Sequence, residues 1–245
     1  MKEIRLCDDA EVLSVLNLCK NNGLGIEVQG FYNPNLIDTR ESEELLLQYK
    51  KVLQDFKYGR SLHAPFWDLN LGTKNPMVKE ATMKAFNYAY KVAKELGCTE
   101  IVVHNGFVPN TSFYEGWARN AVAFWNEFFS DKDNSITMMV ENQCEEDSTV
   151  LKMEIDAVND PRLKVCLDIG HAHANSNMSV EEWDSTYGYV YKELIAIKNK
   201  NTAKKNLLFI CTSSLITSII YILSLIFQLF LLKILLQKLF HFHLF

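Results

Sequence analysis

The chain has 245 residues, 48% of them apolar and 22% charged, which is ordinary globular material for one domain of the ~250-residue class. Its net charge of −5 is unevenly spread: residues 197–245 hold six lysines and no carboxylate side chain, leaving 19 basic against 30 acidic side chains in residues 1–196, a net of −11. So acidic a body argues against nucleic acid as a partner, because contacts to phosphate supply most of that affinity. The six cysteines are scattered with no C-x-x-C pair, which suits the reduced thiols of a cytoplasmic protein better than a disulfide framework or a zinc ribbon. The first nine residues, with Asp8 and Asp9 and no apolar run, are not a secretory signal.

Along residues 1–196, short β-branched runs alternate with stretches of helical period. Strands are predicted at 3–7, 25–29, 61–66, 100–105, 136–142 and 164–169, and helices at 10–22, 42–56, 76–96, 114–129 and 147–158. The helical stretches repeat apolar residues three and four apart, as at Leu45, Leu46 and Tyr49, or Ala89, Val92, Ala93 and Leu96. Asn75-Pro76 reads as a helix start, and so does Ser179 with Glu182 three residues on. Strict alternation implies a parallel sheet with right-handed crossovers. Runs such as Ile101-Val102-Val103 and Met138-Met139-Val140 fit strands buried on both faces. No strand is followed by G-x-G-x-x-G or a phosphate loop.

The strand ends carry the chemistry. Glu27, His63, His104, Glu141 and Asp168 with His171 each stand at the polar end of a candidate strand. A closed barrel gathers its strand C-termini at one mouth, whereas an open sheet spreads them along a line, so the pattern favours a barrel. Carboxylate and imidazole suit a divalent cation, whether zinc, manganese, cobalt or magnesium. Such an ion held by two carboxylates can polarise a carbonyl and its neighbouring hydroxyl. Taken singly, each residue has a plainer reading: Asp168 as a helix N-cap, Glu27 as a pocket wall, His173 as peripheral.

The segments 25–31, 62–71, 101–109, 139–142 and 165–174 resemble the xylose isomerase-like TIM-barrel superfamily, which includes sugar and sugar-phosphate isomerases and epimerases, and endonuclease IV. Glu141-Asn142 followed by Leu167-Asp168-Ile169-Gly170-His171-Ala172 is the most informative part. The resemblance implies Glu141 and Asp168 as metal ligands, with Glu141 also taking part in proton transfer. His171 would contact the metal or a substrate hydroxyl. His63 and His104 would line the pocket or bind further metals in an endonuclease-type site. Phe66, Trp67 and Phe107 would wall a sugar or sugar phosphate. The expected fold is an incomplete (β/α)8 barrel of about six βα units over residues 1–196, acting as a metal-dependent isomerase or epimerase. The alternatives are an endonuclease IV-like enzyme and an inactive truncated barrel. The family's later ligands, a His from the seventh strand and a Glu from the eighth, have no counterpart after Glu193, the last carboxylate side chain.

The composition shifts near Ala196. No residue from Asn206 to Leu232 is charged, enough for a helical membrane span, and the flanking lysines would leave the barrel on the cytoplasmic side. The same Leu, Ile, Phe, Lys, Asn and Ser bias is what AT-rich codons give when read out of frame. The tail at 197–245 is thus expected to be either a membrane anchor or foreign to the fold.

Overall fold

The computed structural model describes residues 4–8, 12–111, 113–179 and 181–183. Six parallel strands lie side by side in chain order: β1 (Arg5–Cys7), β2 (Gly25–Val28), β3 (Arg60–His63), β4 (Glu100–His104), β5 (Thr137–Glu141) and β6 (Leu163–Cys166). Between them run α1 (Val12–Asn22), α2 (Arg40–Leu53), α3 (Pro76–Leu96), α4 (Tyr114–Phe129) and α5 (Thr149–Val158), and α6 (Ile169–Asn175) follows β6. This is the predicted TIM-barrel order of strand and helix through six units. Among the described residues, β1 and β6 are the edge strands. The 197–245 tail lies outside the described residues, and no helix among the described residues is long and apolar enough to cross a membrane.

The helix limits follow local chemistry. Helix α3 starts where Asn75 accepts a hydrogen bond from the Met77 amide and Pro76 supplies a preset φ, and it stops at Gly97 with φ +67°. Thr39 caps α2 in the same way, so the helix starts at Arg40, two residues before the predicted start. Ser179 and Glu182 form the expected reciprocal cap. Helix α6 replaces the predicted end of the sixth strand, because Asp168 turns the chain by capping the His171 amide.

The strands have two unlike faces rather than two apolar ones. Ile26, Val28, Leu62, Ile101, Val103, Met138, Val140, Leu163 and Val165 belong to the main core together with the apolar stripes of the helices. That core includes a knot of rings from α3 and α4: Phe86, Phe124, Trp125, Phe128 and Phe129. The alternate positions share the other face and are largely polar. The ladder sets Cys7 beside Glu27, Glu27 beside Ser61, His104 beside Glu141, and Glu141 beside Cys166. Because side chains alternate along a strand, packing helices on one face forces these polar ends together on the other.

Gly106, two residues past His104, brings the neighbouring loop against β4. Its φ is +71°, and a Cβ there would meet the Leu69 carbonyl oxygen at 2.2 Å and the Asn70 Cα at 2.7 Å. The Asn70 amide donates to the Gly106 carbonyl at 2.7 Å. Gly106→Ala combines an unfavourable φ with a backbone clash, and is expected to cost about 2–4 kcal/mol. Urea denaturation would measure it, and a variant as stable as the parent would refute the close approach.

Candidate metal centre

Glu141, at the end of β5, sits at the middle of the polar face and is 7% exposed. Its Oε2 lies 3.5 Å from His63 Nε2 and 3.3 Å from His104 Nε2, and its Oε1 lies 3.4 Å from His171 Nδ1. Two groups of metal-ligating type share it: His63, His104 and Glu141, and Glu141, Asp168 and His171. The strands deliver these residues directly. His104 and Glu141 are ladder partners, and His63 pairs with Val102, which lies on the same face two residues before His104.

The first group has the form of a cation site. His63 Nδ1 is 2.9 Å from the Ala64 carbonyl oxygen, an acceptor, so Nδ1 keeps a proton and Nε2 faces Glu141, donating to it when the ring is protonated and open to a cation when the ring is neutral. His104 Nδ1 is buried without a hydrogen-bond partner among the described residues, which leaves this ring fixed by packing and by what Nε2 meets. Separations of 3.3–3.5 Å are long for charge-assisted hydrogen bonds. They match the ~3.3 Å expected between two ligands of one tetrahedral ion at zinc–ligand lengths of about 2.0–2.1 Å. The donor set of two imidazoles and a carboxylate therefore fits zinc, manganese or cobalt.

The second group is more hydrogen-bonded. Asp168 Oδ1 caps the His171 amide at 2.7 Å, so the N-cap reading holds, while Oδ2 remains 4.0 Å from His171 Nδ1. His171 Nδ1 also lies 3.0 Å from the Asn142 carbonyl oxygen, and needs its proton to make that bond. Asn142 binds the Asp168 backbone twice, accepting from the Asp168 amide at 2.7 Å and donating to the Asp168 carbonyl at 2.9 Å. The Glu141-Asn142 and Leu167-Asp168 strand ends are thereby locked together. Sequence reasoning did not give Asn142 this part; its place directly after Glu141 was the available signal.

The remaining candidates divide. Glu27 stands behind His63, accepting from Gln29 Nε2 at 2.8 Å; burial raises its carboxyl, against the His63 imidazole. Phe66 packs on His104 and His63 with ring centroids at 4.6 and 5.4 Å. Trp67 is half exposed beside Phe66 and Tyr32, at the rim. Phe107 is buried against Trp117 and Tyr114, so packing accounts for it and the expected pocket wall does not. His173 is exposed on α6, as a peripheral residue would be.

Burial opposes ionisation of Glu141, and hydrogen bonds from His104, His171 and His63 overcome it, holding the carboxyl well below its usual range. The Glu141 hydrogen bond raises His171 to about 9 against the opposing effect of burial. In the metal-free protein this pairing stabilises the fold fully below about pH 6.5, the unfolded value, and is lost as pH rises through 9. In Glu141→Gln, the His171 titration followed by NMR should fall back toward the ordinary value near 6.5. A midpoint unmoved by that substitution would show that Glu141 is not the cause.

Known proteins resemble this chain to different extents. The chain is 32% identical over 129 residues to a probable endonuclease 4 of Aquifex aeolicus, covering 50% of this chain and 45% of that protein. It is 29% identical over 149 residues to an uncharacterized protein of Methanocaldococcus jannaschii, covering 54% and 48%. The chain thus spans about half the length of these relatives. Among solved structures, a D-tagatose 3-epimerase-like protein superposes with a TM-score of 0.60 at 18% identity, over 77% of this chain and 72% of the other. A Thermus thermophilus protein soaked with zinc chloride gives 0.58 at 23%, over 75% and 73%. Endonuclease IV from the same organism gives 0.52 at 18%, over 76% and 71%. These likenesses speak for the fold. The family model described as xylose isomerase-like TIM barrel matches residues 16–208, and the chain belongs to that family.

Proposed function

We propose that this chain forms a metal-dependent hydrolytic centre for a phosphate ester. His63, His104 and Glu141 would hold one divalent cation. Asp168 and the second oxygen of Glu141 offer the seat of another. The observation that carries this reading is the division of the Glu141 carboxylate, with Oε2 shared by two imidazole Nε2 atoms and Oε1 turned toward His171. Bound there, divalent cations would supply Lewis acidity toward a phosphoryl oxygen and lower the pKa of water.

The chain's own residues do the rest. Glu141, held ionised by the imidazoles around it, would supply an oxygen to each cation. The pair of imidazoles gathered on one oxygen of Glu141 supports hydrolysis over the epimerisation expected from the sequence. His171, protonated on Nδ1 toward Asn142, is placed to hold a proton near the leaving group. Phe66 keeps water from the flank of both imidazoles. The acidic body favours a small phosphate ester over a long nucleic acid.

Isomerisation of a sugar or sugar phosphate is the second reading. The half-exposed Trp67 with Tyr32 and Phe66 favours it, as an apolar wall for a sugar face beside the ligands.

Metal analysis after zinc loading should give about two ions per chain, falling to one in Asp168→Asn and to none in Glu141→Ala. The loaded protein should hydrolyse bis(4-nitrophenyl) phosphate, with a loss above ~100-fold in His104→Ala. Epimerisation of a ketose without phosphoester cleavage would establish the second reading. Cleavage of an abasic-site duplex in preference to small esters would overturn the inference drawn from charge.

A further inference from the structure

Beside the imidazole cluster lies a second buried polar group that the proposed reaction does not use. Asn105, directly after His104, is 1% exposed; Glu145, in the turn after β5, is 3% exposed; Glu154, on α5, is fully buried. The Asn105 Oδ1 accepts from the Phe107 amide at 2.8 Å, which fixes Nδ2 as the end facing the carboxylates. Nδ2 donates to Glu145 Oε1 at 2.9 Å and lies 3.5 Å from Glu154 Oε2. Glu145 Oε2 accepts from the Gln143 amide at 2.6 Å, two residues past Glu141. Glu154 Oε1 accepts from Trp125 Nε1 of α4 at 2.5 Å. One amide side chain thus ties the end of β4 to the turn that leaves β5, and through Glu154 ties both to α4 and α5.

We propose that Asn105, Glu145 and Glu154 form a one-proton clamp that positions the strand ends carrying His104 and Glu141, and that losing the proton loosens the turn at 142–148. Two buried carboxylates side by side cannot both ionise cheaply. Glu145 accepts two close N–H donors and is the better place for the charge. Glu154 has one close donor, and burial raises its carboxyl to about 8 despite the Trp125 hydrogen bond, so it carries the proton at neutral pH. The titratable groups facing this cluster are few. Glu145 faces Glu154; His171 of α6 and Tyr114 of α4 face Glu145, and the Tyr114 phenol also feels Glu146 and Asp147. The sign follows: the folded chain holds a proton on Glu154 up to about pH 8 that the unfolded chain releases near 4.5, so the clamp weakens as pH rises across that range.

The clamp is a positioning device, and its effect on metal affinity rests on the hydrolase reading; its effect on the turn does not. The test is hydrogen exchange by mass spectrometry on the metal-free full chain, with intrinsic rates corrected for pH. Wild type should lose about tenfold in protection at 142–148 between pH 6 and pH 9, one unit above the midpoint. Glu154→Gln, which mimics the protonated carboxyl, should keep that protection at both pH values. Trp125→Phe removes a donor that favours the charged form and should move the loss to higher pH. Identical pH profiles in wild type and Glu154→Gln would overturn the proposal, and so would a glutamine variant unprotected at pH 6. At pH 9, Glu154→Gln should also bind zinc about tenfold more tightly than wild type, with equal affinity at pH 6. Absence of zinc binding with the exchange pattern intact would sink the hydrolase reading and leave the clamp standing.

Discussion

A single buried carboxylate governs this molecule. Glu141 is charged where charge is costly, and three imidazoles drawn from β3, β4 and the start of α6 meet that cost. Removing one member of such a cluster leaves the others buried and uncompensated, a penalty of about 3–5 kcal/mol for typical buried pairs. The cluster therefore has to be assembled whole. Only an architecture that carries residues from positions 63, 104, 141 and 171 to one place can do so. The parallel ladder does this by register, since His104 and Glu141 are direct partners and His63 stands one pleat away.

The register is in turn enforced from the opposite face. Helices bury Ile101, Val103, Met138 and Val140 almost completely, so a slip of one residue would drive His104 and Glu141 into the apolar layer. Hydrophobic burial and site geometry are thus one constraint read from two sides of the sheet. The loops add finer control. Gly106 lets the β3–α3 loop lie on the end of β4, and Asn142 laces the ends of β5 and β6 through paired bonds to the Asp168 backbone.

Much of this was legible in the sequence. The ends of α3 and α4 follow from Asn75-Pro76, Gly97 and the apolar period, and match the predicted limits. The convergence of His63, His104, Glu141, Asp168 and His171 follows from polar residues ending successive strands. The two-faced character of the strands was harder to see, because Val102 and Met139 make the inner face look apolar in one dimension. The distribution of roles could not be read at all. Which imidazole nitrogen is free depends on the Ala64 and Asn142 carbonyl groups, and Phe107 looks like a pocket residue until Trp117 and Tyr114 close around it. Helix α6 is short and contains Gly170, so its period was lost beneath the strand signal before it.

Glu141 and Glu154 show how far environment outruns residue type. Both are buried glutamates of the same strand–helix unit, and burial pushes both toward the neutral form. Three imidazoles answer Glu141 and make it a strong anion. An indole N–H and a distant amide answer Glu154 and leave it an acid. Exchanging the two settings would destroy both: an ionised Glu154 between α4 and α5 would face Glu145 without a cation, and a neutral Glu141 would hold no metal. The unit works because the charge of Glu141 is placed where imidazole nitrogens converge, while Glu154 keeps its proton among rings. Asn105, next in sequence to the candidate ligand His104, joins the two settings, since its amide reaches Glu145 and Glu154 behind the imidazole cluster.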